Sequence, residues 1–313
     1  MPRLTQLKQV PAPAKLNVFL HVVGRRDDGY HLLQTVFTFV DLYDYLDFDL
    51  RTDGSIERVG ASLQGLAAED DLIIKAARLL QQHSGTRLGV AIHCQKNIPA
   101  GAGLGGGSSN AATTLIALNR LWQLGYSRQQ LMQLGVQLGA DVPIFIFGRS
   151  AFAQGIGEQL QAVKLPQWYY VLLRPAVFVA TPAIFQDQAL TRNQKPIIIT
   201  DFTGYVHIPD SQFNHSIALY GTNNLQPVAA KQAGVIQQLL DVLQSKKYHA
   251  RMTGSGSGLF VVFDQLQIAT RQQTEICGIL LHEQPTVQTP VDHWVVTGLN
   301  THPLYNWLTE FGD

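Results

Sequence analysis

Alternation of apolar and polar side chains predicts strands near the start of the chain. From residue 15 to residue 23, every second side chain is Leu or Val, a period of two that is typical of a strand with one face in the core. Apolar runs at 33–40 and 45–50 predict further strands, and the polar stretch 24–29 predicts a turn before them. The first fifty residues are therefore expected to build part of a sheet.

Helical periodicity dominates the middle of the chain. Apolar residues recur at helical spacing over 71–83, 108–124 and 128–138, and a strand is predicted at 88–94. Ser108 or Ser109 is the predicted N-cap of the second helix. Ser127 and Gln130 have the spacing of a capping box at the start of the third helix.

The second half alternates less regularly. Strands are predicted at 144–147, 168–173, 259–263 and 293–297, and a helix is predicted at 229–243. Residues 186–216 are polar and irregular, which predicts a surface loop region. Strands and helices do not alternate strictly, which favours an α+β fold over a doubly wound sheet. The length of 313 residues is typical of one large domain or two ordinary domains, and we expect two, at 1–160 and 161–313.

Composition narrows the classes of function. The chain has 23 basic and 23 acidic residues, so it carries no basic field that would attract nucleic acid or an anionic membrane. Cys94 and Cys277 lie far apart and are expected to be reduced thiols. The N-terminus lacks the apolar run of a signal peptide, and Arg174 and Pro175 interrupt the most apolar stretch. We expect a cytoplasmic protein with a small-molecule substrate and no nucleic-acid or membrane partner; monomer and homodimer both stay open.

A glycine-rich segment before the second helix carries the strongest chemical signal. Five glycines fall within the seven residues 101–107. Glycine lets a ligand lie against bare backbone amides, and a helix N-terminus adds unpaired N–H groups and a partial positive charge. The segment therefore predicts a site for the polyphosphate of a nucleotide. The predicted phosphate-binding residues are Pro99, Ala100, Gly101, Ala102, Gly103, Leu104, Gly105, Gly106, Gly107, Ser108 and Ser109.

Other interpretations of this loop fit less well. Gly101-x-Gly103-x-x-Gly106 formally matches the dinucleotide fingerprint, but no strand ending in an acidic residue follows the helix, which disfavours a dinucleotide-dependent oxidoreductase. The Gly-Lys-Ser/Thr of a P-loop is absent too. A tight packing turn would need fewer glycines. A nucleotide-binding protein without catalysis stays an alternative.

Three separated segments resemble the motifs of the GHMP small-molecule kinases. They are Pro13-Ala-Lys-Leu-Asn17, the glycine-rich segment and Met252-Thr-Gly-Ser-Gly-Ser-Gly258, which stand in the order of the family's three motifs. Asp28-Gly-Tyr-His31 and Leu138-Gly-Ala-Asp-Val-Pro143 narrow the resemblance to the branch whose acceptor alcohol carries a cytidine diphosphate. The resemblance runs from about Pro13 to the C-terminus and is thin over 187–250.

The resemblance implies a two-domain α+β fold with the active site in the cleft between the domains. It implies ATP and Mg²⁺ as cofactors and transfer of the γ-phosphoryl group to a hydroxyl. Lys15 and Asp141 would flank that hydroxyl as the catalytic residues, and Ser109 would be a ligand of Mg²⁺. Lys96 and Asp71 would lie near the nucleotide.

The same resemblance implies a pocket for the acceptor. Tyr30 and Phe185 would sandwich the cytosine, and Asn17, His31 and Thr181 would contact the substrate. Another GHMP kinase, for a polyol, an amino-acid alcohol or mevalonate, is the competing reading within the family. The two aromatic residues argue against it, because a small aliphatic alcohol has no ring to stack on them.

Two departures from the family pattern stand out. Asp71 occupies a position where the family often has Asn. The run Asn223-Asn224-Leu-Gln226 replaces a more acidic one, which predicts a weaker substrate or interdomain contact.

Overall fold

The structure is a computed structural model that describes residues 4–60, 70–205, 209–282 and 289–308. Its strands are β1 (Gln6–Arg25), β2 (His31–Arg51), β3 (Ile56–Val59), β4 (Gly89–Gln95), β5 (Ala151–Gln154), β6 (Gln159–Ala162), β7 (Tyr169–Pro175), β8 (Pro209–Asp210), β9 (Ser216–Ile217), β10 (Ala250–Met252), β11 (Leu259–Phe263) and β12 (Val291–Leu299). Its helices are α1 (Leu72–Ser84), α2 (Gly106–Leu121), α3 (Arg128–Leu138), α4 (Val142–Phe147), α5 (Thr181–Gln186), α6 (Ile199–Thr203), α7 (Gln226–Gln232), α8 (Gly234–Ser245) and α9 (Leu266–His282). Two short 3₁₀ helices lie at Ser211–Phe213 and Tyr305–Trp307.

Ten of these strands form one sheet that runs through both halves of the chain. The central order is β10-β11-β7-β12-β2-β4-β3, with β1 and β5 also paired to β2. Among the strands that the structure describes in this sheet, only β3 and β4 pair in parallel. β12 pairs with β7 on one side and with β2 on the other, so the C-terminal strand connects the two halves. The predicted α+β fold is confirmed.

The long hairpin of β1 and β2 sets up the cleft. Residues 33–40 and 45–50, predicted as two strands, are parts of the single strand β2. β1 begins in the core of the first half and ends in that of the second, because Val10 packs with the first cluster and Val22 with another. Side chains from the middle of β1 consequently lie where the two halves meet.

Three apolar clusters hold the fold together. One packs α1 to α4 on the sheet and also takes in Leu304 and Leu308 from the end of the described chain. A second packs α7, α8 and α9 on β7 and β11, and a third lies between them. Because the last residues return to the first cluster, the division at residue 160 stays a prediction.

Most sequence-based elements are present, with instructive exceptions. The capping box of Ser127 and Gln130 is confirmed. The strand predicted at 144–147 is wrong, because those residues belong to the buried helix α4. Its residues are apolar on every side, and a short apolar run does not reveal its period. The helix predicted at 229–243 is two helices, broken at Ala233.

The N-cap of α2 also differs from the prediction. Gly105, at φ +70°, is the N-cap in place of Ser108 or Ser109, and the helix begins at Gly106. The backbone N–H of Ser109 already donates to the Gly105 carbonyl, so both serines lie inside the first turn. Among the described residues, no helix is long and apolar enough to cross a membrane.

Candidate active site

A cleft of about 970 Å³ opens between the glycine-rich segment and the turn that joins β1 to β2. Its lining comes from both halves of the chain. The predicted site residues among the lining are Lys15, Asn17, Tyr30, His31, Gly101, Gly103, Gly105, Ser108, Asp141, Thr181 and Phe185. These positions therefore lie together in one cleft, and their roles in binding or catalysis stay predictions.

Lys15 lies at the floor of the cleft. Its side chain is 4% exposed, and its Nζ lies 3.2 Å from Oδ2 of Asp141 and 2.5 Å from Oδ1 of Asn17. The Nζ also lies 5.3 Å from the centre of the Phe37 ring. A buried ammonium is costly unless charge and hydrogen bonds compensate it, and these partners supply both. The ammonium is therefore held in one place, facing the cleft.

Asp141 reaches the same place from the other wall. It precedes α4, yet its side chain makes no capping hydrogen bond to that helix. The side chain is 37% exposed, so the carboxylate has accessible oxygen beside Lys15. A carboxylate in this position can accept a proton from a hydroxyl in the cleft.

The glycine-rich segment runs directly over Lys15. Gly101, Gly103 and Gly105 have φ values of +69°, +71° and +70°, a region that favours glycine. A Cβ on Gly105 would lie 3.1 Å from Cε of Lys15, so only glycine lets the backbone approach this closely. No side chain caps α2, and the N–H groups of its first turn lack intrahelical acceptors. These amides and the helix dipole suit an anion at this end of the cleft.

The second glycine-rich segment holds the first one in position. The backbone N–H groups of Ser257 and Gly258 donate to the carbonyls of Gly101 and Ala102, at 3.0 and 3.2 Å. Thr253 accepts a hydrogen bond from the backbone N–H of Asn17 at 3.0 Å. This network connects the first glycine-rich segment, β1 and the turn between β10 and β11.

The uncharged run at 223–226 supports that turn. The Asn223 side chain donates to the carbonyls of Met252 and Gly254, both at 2.8 Å. The Gln226 side chain accepts from the backbone N–H of Met252 at 2.9 Å. Asn224 accepts from the backbone N–H of Val22. Despite the missing acidic groups, this run thus contacts the second glycine-rich segment and β1 directly.

Aromatic and imidazole groups line the opposite end of the cleft. The Tyr30 side chain is 60% exposed there, and the rings of His31 and Phe185 lie 5.1 Å apart between centres. Thr181 shares a hydrogen bond of 2.6 Å with Ser255. Burial lowers the pKa of His31 below its ordinary value, and the charge of nearby Arg192 lowers it further. His31 is therefore neutral at physiological pH.

Lys96 and Asp71 do not line the cleft. Lys96 pairs with the fully buried carboxylate of Asp44, although its Nζ lies close to the first turn of α2. Asp71 caps α1 through the backbone N–H of Ile73 at 2.8 Å and pairs with Arg58 at 3.1 Å. Asp71 thus stabilises the start of α1. A nucleotide contact for Lys96 or Asp71 stays a prediction.

Several loop residues also lie outside the lining of the cleft. They are Pro99, Ala100, Ala102, Leu104, Gly106, Gly107 and Ser109. Ala102 and Leu104 are buried, and the Leu104 carbonyl accepts from the backbone N–H of Lys15 at 2.9 Å. These two residues fix the position of the loop, and ligand contacts through this set stay predictions.

Ser109 offers an open donor for a metal ion. Its Oγ is fully buried and has no hydrogen-bond partner among the described residues. No group of three or more His, Cys, Asp or Glu side chains capable of holding a metal occurs in the described ranges. Mg²⁺ takes oxygen ligands such as a hydroxyl, but Ser109 lies outside the lining of the cleft, so its role as a ligand of Mg²⁺ stays a prediction.

Some lining residues were not predicted from the sequence. Thr35 accepts a hydrogen bond from the Asn17 side chain at 2.9 Å, and Phe37 packs beside Lys15. Arg192 contacts His31 from the polar stretch 186–216. Thr35 and Phe37 alternate on a predicted strand and could have been found from that pattern. Nothing in the local sequence distinguishes Arg192 from a solvated charge.

Comparison with known proteins identifies the family of this chain. The model of the GHMP kinases N terminal domain matches residues 71–149, and that of the GHMP kinases C terminal domain matches 211–277. The chain is 49% identical to a 4-diphosphocytidyl-2-C-methyl-D-erythritol kinase of Bordetella parapertussis, over 97% of this chain and 99% of the relative. It is 48% identical to the enzyme of the same name from Ralstonia pickettii, over 96% of each chain.

A solved structure gives the same result. The crystal structure of a 4-(cytidine 5'-diphospho)-2C-methyl-D-erythritol kinase superposes with a TM-score of 0.72 and 28% identity, over 93% of this chain and 99% of that one. The chain therefore belongs to the ATP-dependent GHMP kinases and, within them, to the family of 4-diphosphocytidyl-2-C-methyl-D-erythritol kinases.

Proposed function

We propose that this chain transfers the γ-phosphoryl group of ATP to the 2-hydroxyl of 4-diphosphocytidyl-2-C-methyl-D-erythritol, a step of the non-mevalonate route to isoprenoid precursors. The observation that carries the proposal is the 3.2 Å pair of Lys15 and Asp141. The pair lies in a cleft that is also lined by the glycine-rich segment, Tyr30 and Phe185.

The two catalytic residues have distinct roles in this proposal. A bond forms between the acceptor oxygen and the γ-phosphorus while the bond from that phosphorus to the bridging β–γ oxygen breaks. Asp141 accepts the hydroxyl proton as the new bond develops. Lys15 neutralises negative charge between the acceptor and the phosphoryl group, and ADP leaves. Positioning of the reactants and stabilisation of charge should account for most of the rate enhancement, because phosphoryl transfer passes through a loose transition state.

The glycine-rich segment and Ser109 bind the nucleotide phosphates in this proposal. The amides of the loop and the first turn of α2 face the β- and γ-phosphates. Ser109 Oγ would hold Mg²⁺, which supplies charge neutralisation on the phosphate oxygens when bound. The unpartnered state of that hydroxyl supports the assignment.

The other end of the cleft binds the acceptor. Tyr30 and Phe185 stack on the cytosine, and His31 contacts its polar edge. Asn17 and Thr181 contact the rest of the substrate. The lining of the cleft by these five residues supports this division.

We also propose that the protein works in the cytoplasm on small molecules alone, with no nucleic-acid or membrane partner. Its two free cysteines and balanced charge support this.

The Tyr30→Ala variant should raise KM for the cytidyl substrate about tenfold and leave KM for ATP within twofold. Stacking of an aromatic side chain on a base contributes about 1–3 kcal/mol. Steady-state kinetics with each substrate varied in turn would measure both constants. The Tyr30→Phe variant keeps the ring and serves as the control, with both constants near those of the unmodified protein. Equal increases in the two KM values would contradict the assignment.

A substrate panel tests the proposed activity itself. ADP release should be measured with Mg-ATP and either 4-diphosphocytidyl-2-C-methyl-D-erythritol, mevalonate, homoserine or galactose. We expect turnover with the cytidyl compound alone, because only it has an aromatic ring that can stack on Tyr30 and Phe185. Turnover of another alcohol in its place would refute the cytosine pocket and leave the kinase fold intact.

A further inference from the structure

Arg192 connects the two walls of the acceptor end of the cleft. Its Nε donates to Nε2 of His31 at 3.1 Å. Its Nη2 donates to the carbonyls of Phe185 and Asp187 at 3.0 and 2.7 Å, and its Nη1 donates to the carbonyl of Leu190 at 3.2 Å. One guanidinium therefore holds an imidazole from β2 beside the aromatic residue of α5.

The contact with His31 determines where the imidazole carries its proton. A guanidinium only donates hydrogen bonds and stays charged in proteins. Nε2 of His31 must therefore accept, which places the single proton of the neutral ring on Nδ1. Nδ1 has no hydrogen-bond partner among the residues that the structure describes.

The remaining surroundings keep this ring neutral. Arg25 and Asp28 are the other charged groups that line the cleft near His31. Asp28 pairs with Arg26 at 2.5 Å, while the charges of Arg192 and Arg25 both disfavour a protonated imidazole. The result is a ring with one fixed donor.

We infer that Arg192 is a positioning residue for substrate specificity: it fixes His31 as the Nδ1–H tautomer, so that the imidazole donates to an acceptor atom of the pyrimidine. This inference rests on the proposed function. Cytosine presents unprotonated N3 and O2 as neighbouring acceptors, whereas N3 of uracil carries a hydrogen. A fixed donor therefore favours cytosine at the N3 position, because the uracil N–H would face another donor.

The contacts of Arg192 argue against a direct role in phosphate binding. Four of its five N–H groups donate to His31 and to three carbonyls. A diphosphate would have to displace these bonds to gain a bidentate contact. Arg192 accordingly acts through His31.

Two variants of Arg192 distinguish control of the His31 tautomer from mere structural support of the segment around Arg192. In Arg192→Gln, the amide can either donate to or accept from Nε2, so the tautomer is no longer imposed. In Arg192→Lys, the ammonium can only donate, so the tautomer is kept although the forked contacts to the carbonyls are lost. Arg174→Gln removes a cation paired with Asp292 outside the cleft and is the matched control.

Two readouts are needed. Nitrogen NMR of the histidine-labelled protein reports the tautomer and pKa of His31, with His31→Gln identifying its signals. The ratio of kcat/KM for the cytidyl substrate to that for its uridyl analogue reports specificity. We expect Arg192→Gln to give a mixed tautomer, a higher His31 pKa and a ratio lowered about tenfold. Arg192→Lys should keep one tautomer and most of the ratio, and KM for ATP should not change in either.

The possible results are distinguishable. If Arg192→Gln leaves the tautomer or the ratio unchanged, or if Arg192→Lys loses as much of the ratio as Arg192→Gln does, the inference is overturned. If the unmodified protein does not turn over the cytidyl substrate, the proposed function fails, whatever the NMR of His31 shows.

Discussion

Replacing Asp141 with Asn should lower kcat by about 10²–10⁴-fold, with KM for ATP and for the acceptor changed by less than about threefold. Asn has almost the same shape and can still accept a hydrogen bond from Lys15, but its amide does not take up a proton at neutral pH. The change therefore removes an interaction made in the transition state and keeps those made on binding.

The structure makes this substitution a clean test. The Asp141 side chain does not cap α4, so the substitution removes no hydrogen bond that the helix needs. It does remove the negative charge that compensates the buried ammonium of Lys15, so thermal unfolding should show a folded variant with a modest loss of stability. Single-turnover measurements of phosphoryl transfer would separate the chemical step from product release. Asp292→Asn, which removes a surface carboxylate paired with Arg174, is the control.

A near-normal single-turnover rate in Asp141→Asn would rule out the role of Asp141 as the proton acceptor. Lys15 would then be the residue that contributes most to the rate of phosphoryl transfer, through its charge alone. A large rise in KM at constant kcat would instead make Asp141 a binding residue for the acceptor hydroxyl.

The sequence predicts a helix or strand of this fold correctly where the periodic pattern of apolar residues extends over many residues. The eleven residues of α3 have one stripe of apolar side chains and a capping box, and both features are local. The six residues of α4 are apolar throughout, so they show no periodicity, and their packing against α2 and α3 decides for a helix. The N-cap of α2 likewise depends on the approach of Gly105 to Lys15, which is a tertiary contact.

The residues of the candidate site likewise differ in whether a local sequence pattern or a tertiary contact identifies them. Lys15 and Asp141 stand in recognisable motifs, so their types and roles could be predicted, but their 3.2 Å separation depends on β1 and α4 meeting across 126 residues of chain. Arg192 shows the limit of prediction. The role that we infer for it depends on a contact with His31, which lies 161 residues away, and no local pattern indicates that contact.

Gly103→Ala should have the largest effect of any loop substitution, with kcat/KM for ATP lowered about 10²-fold. The φ of Gly103 is +71°, and a Cβ there would lie 2.1 Å from the carbonyl oxygen of Thr253. That oxygen belongs to the backbone of the second glycine-rich segment, so the two segments must separate. Such a shift misplaces the amides that face the phosphates, and a misplacement of about 1 Å can cost this much in rate.

Gly125→Ala is the matched control for the strain of the backbone itself. Gly125 has nearly the same φ, +74°, but an added Cβ would meet no atom within 4 Å, and the residue lies between α2 and α3 outside the lining of the cleft. Both variants should lose about 1–2 kcal/mol of unfolding free energy to the left-handed conformation. Only Gly103→Ala should also lose affinity for ATP, measured by calorimetric titration. Equal ATP affinity in the two folded variants would show that the close contact between the glycine-rich segments does not position the phosphate site.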